Sequence, residues 1–235
     1  MKSLILSLDV DDEKQALELV RELKDEMSFK VGKQLFTRYG PGIVREIRAL
    51  GGELFLDLKF HDIPNTVASA CREAVRLQVQ MFNVHASGGK EMLTAAVAAT
   101  TKAAQEFGVP KPLLLAVTVL TSLGDSVLKE ELGGARSLRD QVAHLAGMAK
   151  ECGVDGVVCS PMEIEMIKQK CGSDFVVVTP GVRPAWAEAN DQKRVQTPAE
   201  AIQSWANYLV VGRPILASKD RKAAARKILD EMKIS

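Results

Sequence analysis

The sequence predicts an α/β fold, a (β/α)8 (TIM) barrel that forms a single domain over residues 1–235. Eight short runs rich in leucine and β-branched residues recur along the chain. Amphipathic stretches with apolar residues at every third or fourth position lie between these runs. A chain of 235 residues accommodates eight such βα units, and no Pro-, Ser- or Gly-rich linker divides it.

The predicted strands are apolar runs that end in polar or glycine-containing segments. They cover residues 3–9, 28–32, 53–59, 80–86, 113–120, 156–160, 175–181 and 208–213. Helices are predicted between them, for example in DEKQALELVRELKDE, GPGIVREIRALGG and REAVRLQ. The competing fold, an open doubly wound sheet, is disfavoured because DVDDEKQ follows the first strand and contains no glycine-rich turn.

Composition and charge exclude several classes of function. The 31 basic and 30 acidic residues give a net charge of +1, so the chain lacks the basic field that attracts nucleic acid or an anionic membrane. No stretch approaches the ~20 apolar residues of a membrane span, and the opening MKSLILSLDVDDEKQ is too interrupted for a signal peptide. The four cysteines form no CxxC pair, which favours reduced thiols in a cytoplasmic protein.

Charged residues at the end of the third strand provide the first functional signal. In ELFLDLK the three leucines fall on one face, while Phe55, Asp57 and Lys59 fall on the other. The leucines suit the face covered by helices, so the charged pair is expected inside the barrel at its C-terminal mouth, where barrel enzymes carry their chemistry. Asp9 repeats this pattern in the first strand, and Lys30 of the second strand is expected to face the same mouth.

This cluster of opposite charges has two interpretations. Carboxylates around Lys59 favour its charged ammonium form, which would make it an available proton donor. A DxK motif alone is more typical of a salt-bridge network that closes the barrel mouth. Charges from three strand ends, rather than one, shift the interpretation towards a catalytic site.

Two glycine–arginine segments indicate a phosphate-binding site. VTPGVRP and VVGRPIL follow the seventh and eighth strands and place Arg183 and Arg213 on adjacent loops. Arginine offers phosphate a planar fork, and a glycine such as Gly212 lets the backbone approach a ligand closely. A phosphorylated substrate is therefore expected.

No motif indicates a metal or an organic cofactor. The sequence contains no HExxH, no calcium loop, no P-loop and no strand-linked GxGxxG. His85 ends the fourth strand on the inward face together with Asn83, and a hydrogen-bonded structural histidine is predicted there. Thr66 is predicted as a cap or first-turn residue of the helix that starts near Pro64.

The motifs and their order resemble the orotidine 5′-monophosphate decarboxylase family along essentially the whole chain. The long motif DLKFHDIPNT at the third strand is the most specific. SLD, FKVG, HASGG, LTS, TPGVRP and VGRPI stand at the first, second, fourth, fifth, seventh and eighth strands.

The resemblance implies a cofactor-independent homodimer that converts orotidine 5′-monophosphate to UMP and CO₂ in pyrimidine biosynthesis. It implies that Lys59 protonates C6 after CO₂ departs and that Asp57 lies against the substrate carboxylate. Asp62 would enter the neighbouring subunit's site together with Thr66 and complete a charge array near Lys30. The substrate-binding residues that the resemblance implies are Asp9, Lys30, Ile63, Thr66, Thr121, Pro180, Arg183, Gln192, Gly212 and Arg213.

Two alternative functions remain open at the level of sequence. A magnesium-dependent keto-sugar phosphate decarboxylase or hexulose phosphate synthase shares the DxK…D core but uses it to hold a metal and an enediolate. A catalytically silent phosphate-binding barrel would bind a nucleotide without releasing CO₂. Dependence on Mg²⁺ distinguishes the first alternative, and loss of CO₂ distinguishes the second.

Overall fold

The computed structural model describes residues 1–186 and 196–233, and in these residues the predicted (β/α)8 barrel is confirmed. All strands pair in parallel and in chain order, and the first strand also pairs with the last to close the barrel. The strands are β1 Leu4–Ser7, β2 Ser28–Gly32, β3 Leu54–Phe60, β4 Met81–His85, β5 Leu113–Val117, β6 Gly156–Val158, β7 Val176–Pro180 and β8 Tyr208–Val211.

Helices surround the closed sheet. They are α1 Glu13–Leu23, α2 Lys33–Tyr39, α3 Pro41–Ala49, α4 Pro64–Arg76, α5 Gly89–Phe107, α6 Leu138–Glu151, α7 Ile164–Cys171, α8 Pro198–Gln203, α9 Arg213–Leu216 and α10 Arg221–Lys233. Shorter helical turns cover Ala86–Gly88, Val127–Glu131 and Pro161–Glu163. Among the described residues, none of the helices has the length and apolar character of a membrane-spanning segment.

Alternation of side chains along the strands divides the apolar residues into two clusters. In β3, Leu54 and Leu56 pack outward in the layer between sheet and helices, whereas Phe55 points into the barrel, as predicted. The buried residues of the inner cluster are Ile5, Phe55, Met81, Leu115, Val178 and Val210. Six strands thus fill the barrel interior with apolar side chains below the mouth.

Several strands end earlier than the sequence predicts. β5 ends at Val117 and β6 at Val158, because the residues after them already belong to the loops of the mouth. The helix predicted in REAVRLQ is the second half of α4, which begins with Pro64 in its first turn. Thr66 lies in that first turn, as predicted.

Candidate active site

The C-terminal ends of the strands surround a cavity of about 400 Å³, within the range of sites for small molecules. Charged side chains from the ends of the first three strands form one part of its wall, and the rest consists of apolar strand residues and the loops after β5, β7 and β8. The predicted site residues that line it are Asp9, Lys30, Asp57, Lys59, Thr121, Pro180, Arg183, Gly212 and Arg213.

Asp57 is at the centre of the charged part of this wall. Its Oδ2 lies 3.2 Å from Lys30 Nζ, and its Oδ1 lies 2.6 Å from Lys59 Nζ. Lys30 Nζ also lies 3.8 Å from Asp9 Oδ1. The first three strands therefore bring carboxylates and ammonium groups together in alternation.

The environment of Asp57 keeps its carboxylate ionised. Burial by itself would raise the pKa of Asp57, because only 9% of the residue is exposed. The charges of Lys30 and Lys59 and hydrogen bonds from Lys59 and Asn83 outweigh burial and hold this pKa below its ordinary value. A buried negative charge thus persists at neutral pH between two cations.

β3 is distorted where it carries Lys59 into the mouth. Its register with β4 shifts between Leu56 and Phe60, so that three residues of β3 lie opposite Asn83. Lys59 has a φ of 55°, in the left-handed region that residues other than glycine rarely occupy. At this bulge the ammonium group of Lys59 reaches the carboxylate of Asp57.

Asn83 on β4 lies opposite this bulge and is completely buried. Its Oδ1 accepts the backbone N–H of Lys59 at 2.8 Å, and its Nδ2 donates to Asp57 Oδ1 at 2.7 Å. The sequence places Asn83 on the inward face but assigns it no role. The signal that could have revealed this role is its position on the inward face of β4, beside the charged end of β3.

Two small residues complete the setting of Lys30 and Asp9. Ser7 Oγ donates to Asp9 Oδ2 at 2.8 Å. A Cβ atom at Gly32 would lie 3.1 Å from Lys30 Nζ, tighter than ordinary van der Waals contact, so glycine leaves the space that this ammonium group occupies. The strand pattern places Ser7 on the inward face with Asp9, but neither Ser7 nor Gly32 was among the predicted site residues.

The loops after β7 and β8 form the part of the wall where a phosphate site is predicted. The backbone N–H of Arg183 donates to Gln196 O at 2.9 Å, which ties the loop after β7 to the segment before α8. A Cβ atom at Gly212 would lie 3.7 Å from Asp9 Oδ2, so this loop borders the Asp–Lys cluster directly. Arg183 and Arg213 therefore line the same cavity as the charged strand ends.

Among the predicted site residues that the structure describes, Asp62, Ile63 and Thr66 do not line this cavity. They lie between the end of β3 and the first turn of α4, and Ile63 is 67% exposed. Asp62 Oδ1 accepts the N–H of Ile63 at 2.6 Å. Gln192, the remaining predicted residue, lies outside the described residues.

His85 lies at the end of β4 beside the charged cluster. A hydrogen bond was predicted for His85. Among the described residues, its ring instead contacts the ring of His61, with 5.4 Å between the two centroids. Burial, and then the charges of His61, Lys59 and Lys33, lower the pKa of His85 to about 4. His85 is therefore neutral near pH 7.

The described residues contain neither a cluster of metal ligands nor a disulfide bond. In residues 1–186 and 196–233, no three His, Cys, Asp or Glu side chains are grouped as a metal site requires. The four cysteines are free thiols, and Cys71, Cys159 and Cys171 are buried.

Comparisons with known proteins converge on one family. Residues 2–228 match the family model described as "Orotidine 5'-phosphate decarboxylase / HUMPS family". The orotidine 5′-phosphate decarboxylase of Syntrophotalea carbinolica is 56% identical over 234 residues, which cover 98% of this chain and 95% of that protein. The protein of the same name from Syntrophomonas wolfei is 53% identical over 97% of both chains. A crystal structure of orotidine 5′-phosphate decarboxylase from Lactobacillus acidophilus is similar with a TM-score of 0.88 and 38% identity, over 99% of both chains.

Proposed function

Because the chain belongs to the orotidine 5′-phosphate decarboxylase / HUMPS family, we propose that it converts orotidine 5′-monophosphate to UMP and CO₂ in pyrimidine biosynthesis. The observation that carries this proposal is the contact of Asp57 with both Lys30 and Lys59, in a cavity that two arginines also line. In such a cavity the two arginines can bind a phosphate, while the two lysines lie at a separate place beside the reacting centre.

The phosphate would be held by the loops after β7 and β8. In the proposal Arg183, Gly212 and Arg213 bind it together with Gln192, since arginine suits phosphate and glycine allows a close approach. The ribose hydroxyl groups would then reach Asp9, the most exposed of the four charged residues, and Lys30 beside it. The pyrimidine would lie against Thr121 and Pro180.

The reaction requires stabilisation of negative charge. When the bond between C6 and the carboxylate breaks, its electron pair stays on C6, and the ring has no adjacent electron sink. Preorganised cations can stabilise this charge, and Lys59 then transfers a proton from Nζ to C6. A general acid typically gives ~10²–10⁴-fold, whereas enzymes lower barriers by ~8–23 kcal/mol, so the fixed charges and the binding of the phosphate must supply the rest.

Asp57 would act on the ground state of the substrate. Its low pKa keeps it ionised, so a substrate carboxylate placed beside it is repelled. Binding of the distant phosphate offsets this repulsion, and the repulsion disappears once CO₂ leaves. Asp57 also holds both lysines in place for the next step.

We propose that the enzyme is a homodimer with shared sites. Asp62, Ile63 and Thr66 lie outside the chain's own cavity, and the apolar side chain of Ile63 is exposed. In the proposal Asp62 and Thr66 enter the site of the neighbouring subunit. The reaction would take place in the cytoplasm, where free thiols such as those of this chain persist.

A magnesium-dependent reaction on a sugar phosphate is the second function in this family to consider. Both oxygens of Asp57 contact ammonium groups, and two cations at this distance would repel a third. The geometry therefore supports a metal-independent reaction. No cofactor is needed in the proposal.

The test is to mix the purified protein with orotidine 5′-monophosphate in excess EDTA and to follow pyrimidine absorbance and CO₂ release. We expect turnover that EDTA does not change. Turnover of a sugar phosphate only with Mg²⁺ would contradict the proposal, and so would nucleotide binding without release of CO₂.

A further inference from the structure

We infer that Asn83 is a positioning residue whose side chain holds the backbone of Lys59 and the carboxylate of Asp57 in the geometry that proton delivery requires. The inference rests on the proposed function. Asn83 does not line the cavity itself, so it acts through these two residues and not through contact with a ligand.

The first observation is the place of Asn83 in the sheet. In a regular parallel ladder, backbone groups of neighbouring strands pair with one another. At the bulge, three residues of β3 lie opposite Asn83, and the side-chain amide supplies the acceptor for the N–H of Lys59. Asn83 thus bridges a break in the ladder at the residue that carries the proposed proton donor.

The second observation is that Asn83 and Lys59 share one acceptor. Asn83 Nδ2 and Lys59 Nζ both donate to Asp57 Oδ1, at 2.7 and 2.6 Å. This arrangement fixes the rotation of the carboxylate and leaves Oδ2 for Lys30, 3.2 Å away. One amide therefore determines the direction of the carboxylate and the backbone conformation of the lysine.

The third observation is that packing alone does not require an amide at this position. The neighbouring inward residues, Met81 on β4 and Leu115 on β5, are apolar and fully buried. Leucine has the same number and branching of side-chain heavy atoms as asparagine and would occupy this position without a polar group to satisfy. The amide is accounted for by its two hydrogen bonds to the site.

The test compares Asn83→Leu with Thr100→Val. Thr100 is equally buried, and its Oγ1 donates to Ala96 O at 2.7 Å within α5, away from the cavity. We expect Asn83→Leu to lower kcat for orotidine 5′-monophosphate by about 10²-fold, the effect of misplacing a reacting group. KM should change by less than about threefold, because the groups that contact the ligand remain. Thr100→Val should leave both constants unchanged, and thermal unfolding of each variant verifies that it is folded.

A second variant keeps the test decisive if Asn83→Leu does not fold. Asn83→Asp retains the acceptor for the N–H of Lys59 but places a carboxylate against Asp57. The charged or titratable groups around it are Asp57 and Lys59 on β3, Lys30 on β2 and His85 on β4, while Leu115 on β5 carries no charge. Protonation of the new carboxyl restores a donor to Asp57, so kcat relative to the unaltered protein should rise from about pH 8 to about pH 5.

The outcomes separate this inference from the proposed function. A folded Asn83→Leu protein with kcat within about threefold of the unaltered protein, or a loss confined to KM, overturns the positioning role. A relative kcat of Asn83→Asp that stays constant or falls on acidification also overturns it. If the unaltered protein itself does not release CO₂ from orotidine 5′-monophosphate, the proposed function has failed instead.

Discussion

Both ends of the barrel carry networks of polar side chains. At one end these side chains bind backbone N–H groups of neighbouring strands, and at the other end charged side chains bind one another. We call the end where the strands begin the floor and the opposite end the mouth. At the floor, a side chain at or just before the start of each even-numbered strand accepts a backbone N–H from within two residues of the start of the preceding odd-numbered strand. The pairs are Lys2 N with Ser28 Oγ, Leu54 N with Gln80 Oε1, Leu114 N with Asp155 Oδ2, and Val177 N with Asn207 Oδ1.

Lysines differ between the two ends in the same way. At the floor, Lys168 Nζ donates to two backbone carbonyls and to Asn207 Oδ1, so its three hydrogens are used. At the mouth, Lys59 Nζ contacts Asp57 as its one partner among the described residues, which leaves hydrogens for a ligand. The barrel itself uses all the hydrogens of Lys168, whereas Lys59 keeps hydrogens that a ligand can accept.

The largest expected effect tests this difference with one lysine from each end. Under the proposed function, Lys59→Ala should lower the rate of decarboxylation by at least ~10²–10⁴-fold, because the proposed proton donor and a cation are lost. Lys111→Ala removes the 2.7 Å contact with Asp155 at the floor and should change the rate by less than about twofold. Steady-state kinetics of both variants measure the effect.

Circular dichroism and thermal unfolding should show that both lysine variants keep the fold. Equal losses of activity in the two variants would contradict the division between mouth and floor. A folded Lys59→Ala protein that decarboxylates at nearly the normal rate would exclude its assigned role.

The next effect is on stability and concerns the floor. Asp155→Ala leaves the N–H of Leu114 without its side-chain acceptor and should lower the free energy of unfolding by ~1–3 kcal/mol. Asp155→Asn keeps an acceptor oxygen and should lose less. Urea unfolding measures both, and the kcat of the folded variants should remain normal. A loss of kcat without a loss of stability would show that the floor takes part in catalysis.

The smallest effect concerns the response of the mouth to acid. The pKa of His85 is lowered to about 4 from an ordinary value of 6.5. Between these values the unfolded chain binds a proton that the folded chain does not, so the free energy of unfolding falls as pH falls through this window. His85→Gln should remove this contribution to the pH dependence of the free energy of unfolding. The contribution corresponds to at most about one proton taken up on unfolding.

His144→Gln on the exposed surface of α6 is the matched control, since it also removes one imidazole. Urea unfolding at several pH values between the two pKa values provides the measurement. If His144→Gln flattens the slope and His85→Gln does not, the burial of His85 is not its source.

Much of the fold was predictable because two simple periodicities encode it. Leucines alternate with inward residues in β1 and β3, and this alternation correctly placed Phe55, Asp57 and Lys59 on the barrel side. The motifs after β7 and β8 correctly placed Arg183 and Arg213 at the same cavity. Local patterns were sufficient here because each side chain follows the direction of its own strand.

The bulge in β3 was not predictable in this way. It inserts two extra residues relative to β4, an even number, so the alternation of inward and outward residues continues across it. Lys59 is also not a glycine, and nothing local indicates its positive φ. The role of Asn83 depends on the pairing of two strands, which only the assembled sheet defines.

The filled barrel interior restricts how ligands can enter and leave the protein. Because the inner cluster blocks the barrel axis, no molecule can pass between the two ends through the centre of the described structure. Under the proposed function, the nucleotide enters and the gas escapes on the same side. CO₂ and the product nucleotide would therefore share one exit from the barrel.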